Sequence, residues 1–563
     1  MTRELLRDLA AVLAAALLVV AAVLVGAAVE RADGTLHVGW PPLYAYAEPH
    51  LGPGTPAALA VAVGVVAYGP RLAARLPWRA LLGAAWGTAT AWTFSLALVD
   101  GWQRGIARRL TTSYEYLRVV DRFADIPHTL RDFTRHILLD SPGHWPPHVA
   151  GHPPAATLTF VWLDRIGLGG GAWAGVWCIT VGATACVAVL VTVRALAGET
   201  LARRAAPFLV LAPAAVWAGV SADGYFAAVA AWALALLALA VTGRRPRTAA
   251  LGSGLLLGLA GYLSYGLMLI AVIAGAVLLL GRERVRVLPF LAAGAAVVPL
   301  VFTLLGFDWW EAYRLLVRRY YQGAGGIRPY RYWVWANLAC TVLVVGPATV
   351  AGLRRSAVRA GALARAAWSG ARAAAPAGSA PRGADPVAAG AGRAGAAPEG
   401  SAPGGPAPSR TVPDGAAPGE AAHRGPLLAG TGTGEDAPEG VAPRRTAPAG
   451  SGVGGTGAPV VPGPGDDGRA GSGGRGRAAG RRWFAGDPRT GGEQRLALLV
   501  LAALLALLVA DLSGMSKAET ERIWLPFAVW LPAAGAFLTG PRGWLAAQAA
   551  LALLVNHLLL TGW

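Results

Sequence analysis

Long apolar runs recur along this chain from its first residues to its last. They leave it few places to put its surface except inside a lipid bilayer. A helix that crosses the hydrocarbon core needs about 20 mostly apolar residues. Runs of that kind fall near 9–29, 55–69, 80–99, 172–193, 205–220, 225–242, 249–264, 266–281, 287–306, 333–353, 496–511, 523–539 and 543–562. Two are short, and 249–281 also reads as one bent helix. Of the 563 residues, 55% are hydrophobic and only 14% charged, against about 25% charged in an ordinary globular domain. The expected fold class is therefore all-α, a polytopic transmembrane helical bundle of about thirteen spans. The first run is too long for the core of a secretory signal and lacks a small-residue cleavage site, so it is expected to stay as a span.

The arginines set an orientation, because basic residues concentrate in cytoplasmic loops. Arg3 and Arg7 put the N-terminus inside. The same side then takes Arg71, Arg75 and Arg79, Arg203 and Arg204, Arg244, Arg245 and Arg247, Arg282, Arg284 and Arg286, and Arg354, Arg355 and Arg359. The pattern closes only if the apolar stretch 153–168 does not cross. It is bounded by Pro153-Pro154 and by Gly167 with Gly169-Gly170-Gly171, and reads as a short helix on or in the outer leaflet. External segments follow at 30–54, 100–171, 307–332 and 512–522, with outward turns at 221–224 and 262–266. The expected location is the plasma membrane, multi-pass.

Residues 365–492 are of another kind. Ala, Gly, Pro, Ser and Arg dominate them, and much of the total of 75 Gly and 40 Pro lies there. With so few aliphatic residues the segment cannot build a core. It divides the chain into a module at 1–364, a disordered cytoplasmic linker at 365–492 and C-terminal helices at 493–563. It reads either as a regulatory tether or as an insertion without a specific task. The net charge of +18 is accounted for by this linker and the cytoplasmic loops, so no nucleic-acid partner is expected. The three cysteines, Cys178, Cys186 and Cys340, lie inside apolar runs and read as small core residues.

Polar groups that survive near span ends mark candidate sites, because they are costly at membrane depth. Asp100 stands where the third span emerges. The loop after it carries Ser113-Tyr114-Glu115-Tyr116 and then a His-, Trp- and Pro-rich stretch from His144 to Pro154, with His148 and His152 in it. The Tyr114-to-Ile137 region has the spacing of interfacial helices with aromatic anchors. Pro153-Pro154 suit a helix start, which leaves His152 beside unpaired N–H groups that favour an anion. Ser221-Ala222-Asp223-Gly224-Tyr225 is an acidic tip between two spans, also readable as an ordinary turn. The late string Asp511–Pro526 holds Lys517, Glu519, Glu521 and Arg522. External cations need a reason, and a lipid-borne phosphate supplies one through Arg522 and Lys517. Glu519 or Glu521 would otherwise pair with them. The histidines lack ligand spacing and Cys partners, so no metal site is expected from them.

Taken together these pieces resemble the GT-C superfamily of membrane glycosyltransferases, in an actinobacterial-type member. The resemblance covers 1–353 and 496–563. It rests on the order and shared sidedness of Asp100, the loop 100–151, Gly151-His152-Pro153-Pro154, Ser221-Ala222-Asp223, Tyr262-Leu263-Ser264-Tyr265-Gly266 and the Lys517–Trp524 string. It implies inverting transfer of a sugar from a polyprenyl-phosphate donor to a glycan, lipid or protein acceptor of the cell envelope. A carboxylate, Asp100 or Glu115, would accept the hydroxyl proton. Lys517, Arg522 and His152 would hold the donor phosphate, with His148, Asp223, Tyr265, Glu519 and Glu521 in support. Family members carry the acid after the first span, often with a second acid beside it. Here two spans come first and Gly101 follows Asp100, which leaves the base open between the two carboxylates. Some members use a divalent metal ion and others none; the missing second acid favours none. The competing readings are a transporter or lipid flippase, and a GT-C-like scaffold without catalysis. A transporter is expected to show internal repeats and polar residues at mid-membrane, and neither is evident.

Overall fold

The computed structural model describes residues 3–374 and 491–562. Most of the segment 365–492 lies outside the described residues, except that the helix Tyr330–Ala374 runs ten residues past the expected boundary at 364. The described chain is almost wholly helical. Among the described residues, eight helices are long and apolar enough to cross a membrane: Arg3–Asp33, Thr55–Arg75, Trp78–Asp100, Gly171–Ala197, Ala222–Val241, Arg284–Leu304, Tyr330–Arg365 and Gly492–Leu512.

The other expected spans fall on shorter or broken helices, and the breaks have local causes. The run 205–220 is a helix Glu199–Val210, a break at Ala212-Pro213, and a single turn Ala215–Ala218. Proline removes a donor and crowds the preceding turn. The stretch 249–281 is two helices, Pro246–Leu263 and Ile270–Leu280, because Ser264 is extended (φ −153°, ψ 135°). The run 523–539 divides into a turn Leu525–Ala528 and a 3₁₀ segment Leu531–Phe537. The last helix is Pro541–Leu558. Inside Tyr330–Ala374 the backbone kinks at Gly346 (φ 79°), just before Pro347.

The Ala222–Val241 helix sits at the centre, with 78% of its most apolar stretch buried. Its alanine-rich surface lets Thr184–Ala197 and Pro246–Leu263 pack against it. Pro246–Leu263 in turn lies against Arg284–Leu304. There Gly254 faces the Leu291 carbonyl and Gly294 faces the Leu251 carbonyl, too closely for any Cβ. Small residues are what allow backbones to approach so near in membrane bundles.

The connections gather into two groups at opposite ends of the helices. At one end Asp8 and Glu4 hold Arg354 and Arg355, Arg359 holds Glu493, and Arg203 donates to the Ala73 and Leu76 carbonyls. The other end is built from 34–54, 98–170, 305–329, 513–524 and 559–562. A two-stranded antiparallel ribbon of β1 (Ala45–Ala47) and β2 (Leu559–Thr561) ties the first of these segments to the last.

The long connection 101–170 is compact and built of short helical turns. The expected interfacial helices at Tyr114–Ile137 are 3₁₀ turns, Tyr116–Phe123 and Phe133–His136, around one short helix, Ile126–Asp132. Phe123, Phe133 and Trp145 stack beneath them. The stretch 153–168 contains an eleven-residue helix, Ala155–Arg165, about 16 Å long and too short to cross a bilayer.

Candidate functional site

Five of the sequence-selected residues meet at the second end, and the meeting starts from a helix cap. Ser221 caps Ala222–Val241: its Oγ accepts from the Asp223 N–H and donates to Asp223 Oδ2, each at 3.2 Å. That fixes the Asp223 carboxylate at the helix mouth. Arg522, from the short helix Thr520–Ile523, donates to it through Nη1 at 2.8 Å. Arg522 Nη2 lies 3.2 Å from His148 Nε2 and 3.3 Å from Glu519 Oε2. His148 Nδ1 lies 2.9 Å from Glu115 Oε1. Glu115, His148, Asp223 and Arg522 are 6%, 8%, 3% and 4% exposed. Glu519 is the outer member, with 27% of its side chain exposed.

The protons in this row can be placed. A guanidinium only donates, so His148 Nε2 must offer a lone pair to Arg522, and the ring proton belongs on Nδ1, facing Glu115. His148 thereby bridges a cation and a carboxylate. Glu115 Oε2 is buried and has no hydrogen-bond partner among the described residues, which leaves it as the acceptor the row has not used. Behind it, Tyr116 and His152 form the floor. The Tyr116 hydroxyl and the His148 carbonyl lie 3.0 and 2.8 Å from His152 Nδ1. A carbonyl only accepts, so Nδ1 carries the proton. Burial pushes the His152 imidazole down to about 4, so the ring is neutral here. It packs against Phe226.

Asp100 belongs to a different cluster. The 3₁₀ turn Leu98–Asp100 ends the Trp78–Ala97 helix, and a π-turn Gln103–Ala107 folds the chain back over it. Arg109 Nη2 reaches Asp100 Oδ2 at 2.9 Å, while Arg104 Nη2 and His50 Nε2 reach Oδ1 at 3.3 and 2.9 Å. Arg104 also binds Glu48 at 2.7 Å, and Arg109 donates to the Thr561 carbonyl at 2.9 Å. Gly52 and Gly54 lie so close to the Val99 and Ser95 carbonyls that no side chain would fit. That proximity carries His50 onto the acid.

The remaining selected residues stand around these two groups. Lys517 donates Nζ to the Gly325 carbonyl at 2.8 Å, and its own carbonyl accepts from Arg328. Arg328 also lies 3.7 Å from Glu519. Glu521 is fully buried and accepts the Tyr44 N–H at 2.9 Å. Burial pushes its carboxyl up to about 7. Tyr265 packs on Trp309 and Tyr313 and touches neither cluster. No group of three or more His, Cys, Asp or Glu among the described residues is arranged to hold a metal ion. Sequence reasoning passed over His50, Arg104, Arg109 and Arg328, and named Tyr116 without giving it a role. The spacing of Arg104 four residues after Asp100 was a usable signal; His50 carried none.

No protein family model, curated protein or solved structure matches this chain. The geometry of its own side chains therefore carries the functional argument.

Proposed function

We propose that the chain is a multi-pass membrane glycosyltransferase of GT-C type. It crosses the plasma membrane about thirteen times and transfers a sugar from a polyprenyl-phosphate donor to a cell-envelope acceptor at the outer face. The observation that carries this reading is the row Glu115–His148–Arg522–Asp223, with Glu519 at its edge. Three segments far apart in sequence, 101–170, the start of Ala222–Val241 and 513–524, deliver acids, an imidazole and a guanidinium to one end of an otherwise apolar bundle. Arginine-rich loops at the opposite end support an outward orientation for the row.

In this mechanism Glu115 is the base, because Oε2 is free to take a proton. Asp100 already has Arg104 and His50 on Oδ1 and Arg109 on Oδ2, so neither of its oxygens faces an acceptor hydroxyl. The acceptor hydroxyl gives its proton to Glu115 as its oxygen bonds to the sugar C1. The C1–O bond to phosphate breaks through an oxocarbenium-like state, and the bonding pair leaves on the phosphate. Arg522 Nη2 receives that charge once the exposed Glu519 carboxylate yields its place. Lys517 and Arg328 lie alongside. His148 keeps Glu115 and Arg522 in register.

The test is glycan analysis of a strain lacking the gene, complemented with wild type, Glu115→Gln, Asp100→Asn or Arg522→Gln. The expected result is a lost envelope glycan that wild type restores and Glu115→Gln does not, at equal protein level in the membrane. An unchanged glycan profile in the deletion strain refutes the reading. Full rescue by both Glu115→Gln and Asp100→Asn replaces it with the scaffold reading.

A further inference from the structure

We propose that the outward face of the helix Trp309–Gln322 is a docking surface for the anionic headgroups of the outer bilayer leaflet. The inference rests on the membrane orientation proposed above and not on sugar transfer.

The helix is built to lie flat. Asp308 caps it, accepting from the Trp310 and Glu311 N–H groups at 2.9 Å. One face is fastened to the protein. Trp309 donates to the Gly261 carbonyl at 2.9 Å, Ala312 is fully buried, and Arg319 donates to the Trp145 carbonyl at 3.3 Å. At the far end Gln322 accepts the Leu139 N–H at 3.0 Å. Those positions, 309, 312 and 319, recur at helical spacing.

The opposite face is exposed, with the Lys517 ammonium 5.6 Å from the Tyr321 ring centre at one end. Trp310 is 70% and Tyr321 53% exposed. Arg314 and Arg318 lie between them, exposed, and neither has a hydrogen-bond or ion-pair partner among the described residues. A face of Trp, Tyr and Arg suits the depth of the headgroups, where aromatic rings sit at the interface and guanidinium forks grip phosphate. Nearby, Leu304 and Ile327 are also exposed.

Charge selects the occupant. Residues 307–332 hold five arginines against Asp308 and Glu311, on the side of the membrane where basic residues are normally scarce. Arg319 and Arg328 are used inside the protein, which leaves Arg314, Arg318 and Arg331, and of these Arg314 and Arg318 lie on this helix to meet an outside anion. An anionic lipid surface supplies phosphates at that height along the length of the helix.

The experiment uses the full chain with Val317→Cys, on the outward side, carrying a nitroxide spin label. The native cysteines are buried. The protein is placed in nanodiscs of phosphatidylcholine alone or mixed with phosphatidylglycerol. Expected are greater collisional access for oxygen than for a nickel chelate, and lower label mobility with phosphatidylglycerol. The lipid effect is lost in Arg314→Gln/Arg318→Gln and retained in the double lysine variant. The proposal is overturned if the chelate reaches position 317 as readily as a label at the exposed Arg135 position, or if phosphatidylglycerol changes nothing. A soluble or protein partner on this face would give the first of those results.

Discussion

Arg522 and Asp223 are both nearly excluded from water, at 5% and 4% side-chain exposure, and 2.8 Å apart. Removing one charge from such a pair strands the other and costs about 3–5 kcal/mol, whereas replacing both by apolar groups of similar size is often close to neutral. Arg522→Gln is therefore expected to lower thermal stability in detergent strongly. Arg522→Met with Asp223→Leu should recover most of the loss while leaving the proposed transfer abolished. A double variant no more stable than the single one would show that the pair is not what holds this corner. The identities of these residues were legible in the sequence: an Asp in a Ser-x-Asp tip, a cation on the unfavoured side, a carboxylate and histidines in one long loop. Their pairings were not. Glu115, His148, Asp223 and Arg522 come from segments up to hundreds of residues apart, and no local spacing says which carboxylate meets which cation. Asp100 shows the cost of that gap, since its partner His50 comes from before the second long helix.

At the scale of whole elements, apolar length was the most legible signal and helix continuity the least. Runs such as 55–69 and 496–511 became long helices, Thr55–Arg75 and Gly492–Leu512. Runs containing Pro213 or Pro532 broke, because apolar composition does not restore a missing N–H. The Tyr114–Ile137 region had helical spacing, yet its backbone is satisfied in other ways. Thr129 Oγ1 donates to the Arg122 carbonyl at 2.7 Å, and Asp125 caps a new helix in mid-segment through the His128 N–H. Asp8 was not singled out, although it fastens two long helices together. It is fully buried on Arg3–Asp33 and accepts from Arg354 Nε at 2.7 Å and Arg355 Nη2 at 2.6 Å on Tyr330–Ala374. Glu4, one turn earlier, binds the same Arg354 but is 55% exposed. Asp8→Asn is expected to cost about 3 kcal/mol or more, and Glu4→Gln, whose carboxylate is screened by solvent, clearly less. Thermal midpoints of the two variants in the same detergent give the comparison. Equal losses would mean that the exposed carboxylate, not the buried one, joins the helices.

For the molecule as a whole, two buried groups on separate segments set opposite dependences on pH. Glu521, from the 513–524 connection, is raised by burial from an ordinary value of 4.5 to about 7. Folding then favours its protonated form. Its contribution is full below about 4.5 and is lost as pH rises to about 7. His152, from the 101–170 connection, is lowered by burial from 6.5 to about 4. Folding favours its neutral form, so its contribution is full above about 6.5 and is lost as pH falls toward 4. Each group alone sets a slope of at most about 1.4 kcal/mol per pH unit, and over most of the interval the signs are opposed. Their joint effect in the wild type is expected to be nearly flat between about pH 4.5 and 6.5. Glu521→Gln removes the falling limb, so stability should climb with pH across that interval. His152→Asn removes the rising limb, so stability should decline with pH up to about 7. Thermal midpoints measured in detergent from pH 4 to 8 separate the cases, and the double variant should return toward the flat profile. A Glu521→Gln profile no steeper than wild type would mean that this carboxyl reaches water in the folded protein. The buried anchor that Glu521 provides for the Tyr44 N–H would then be open to solvent.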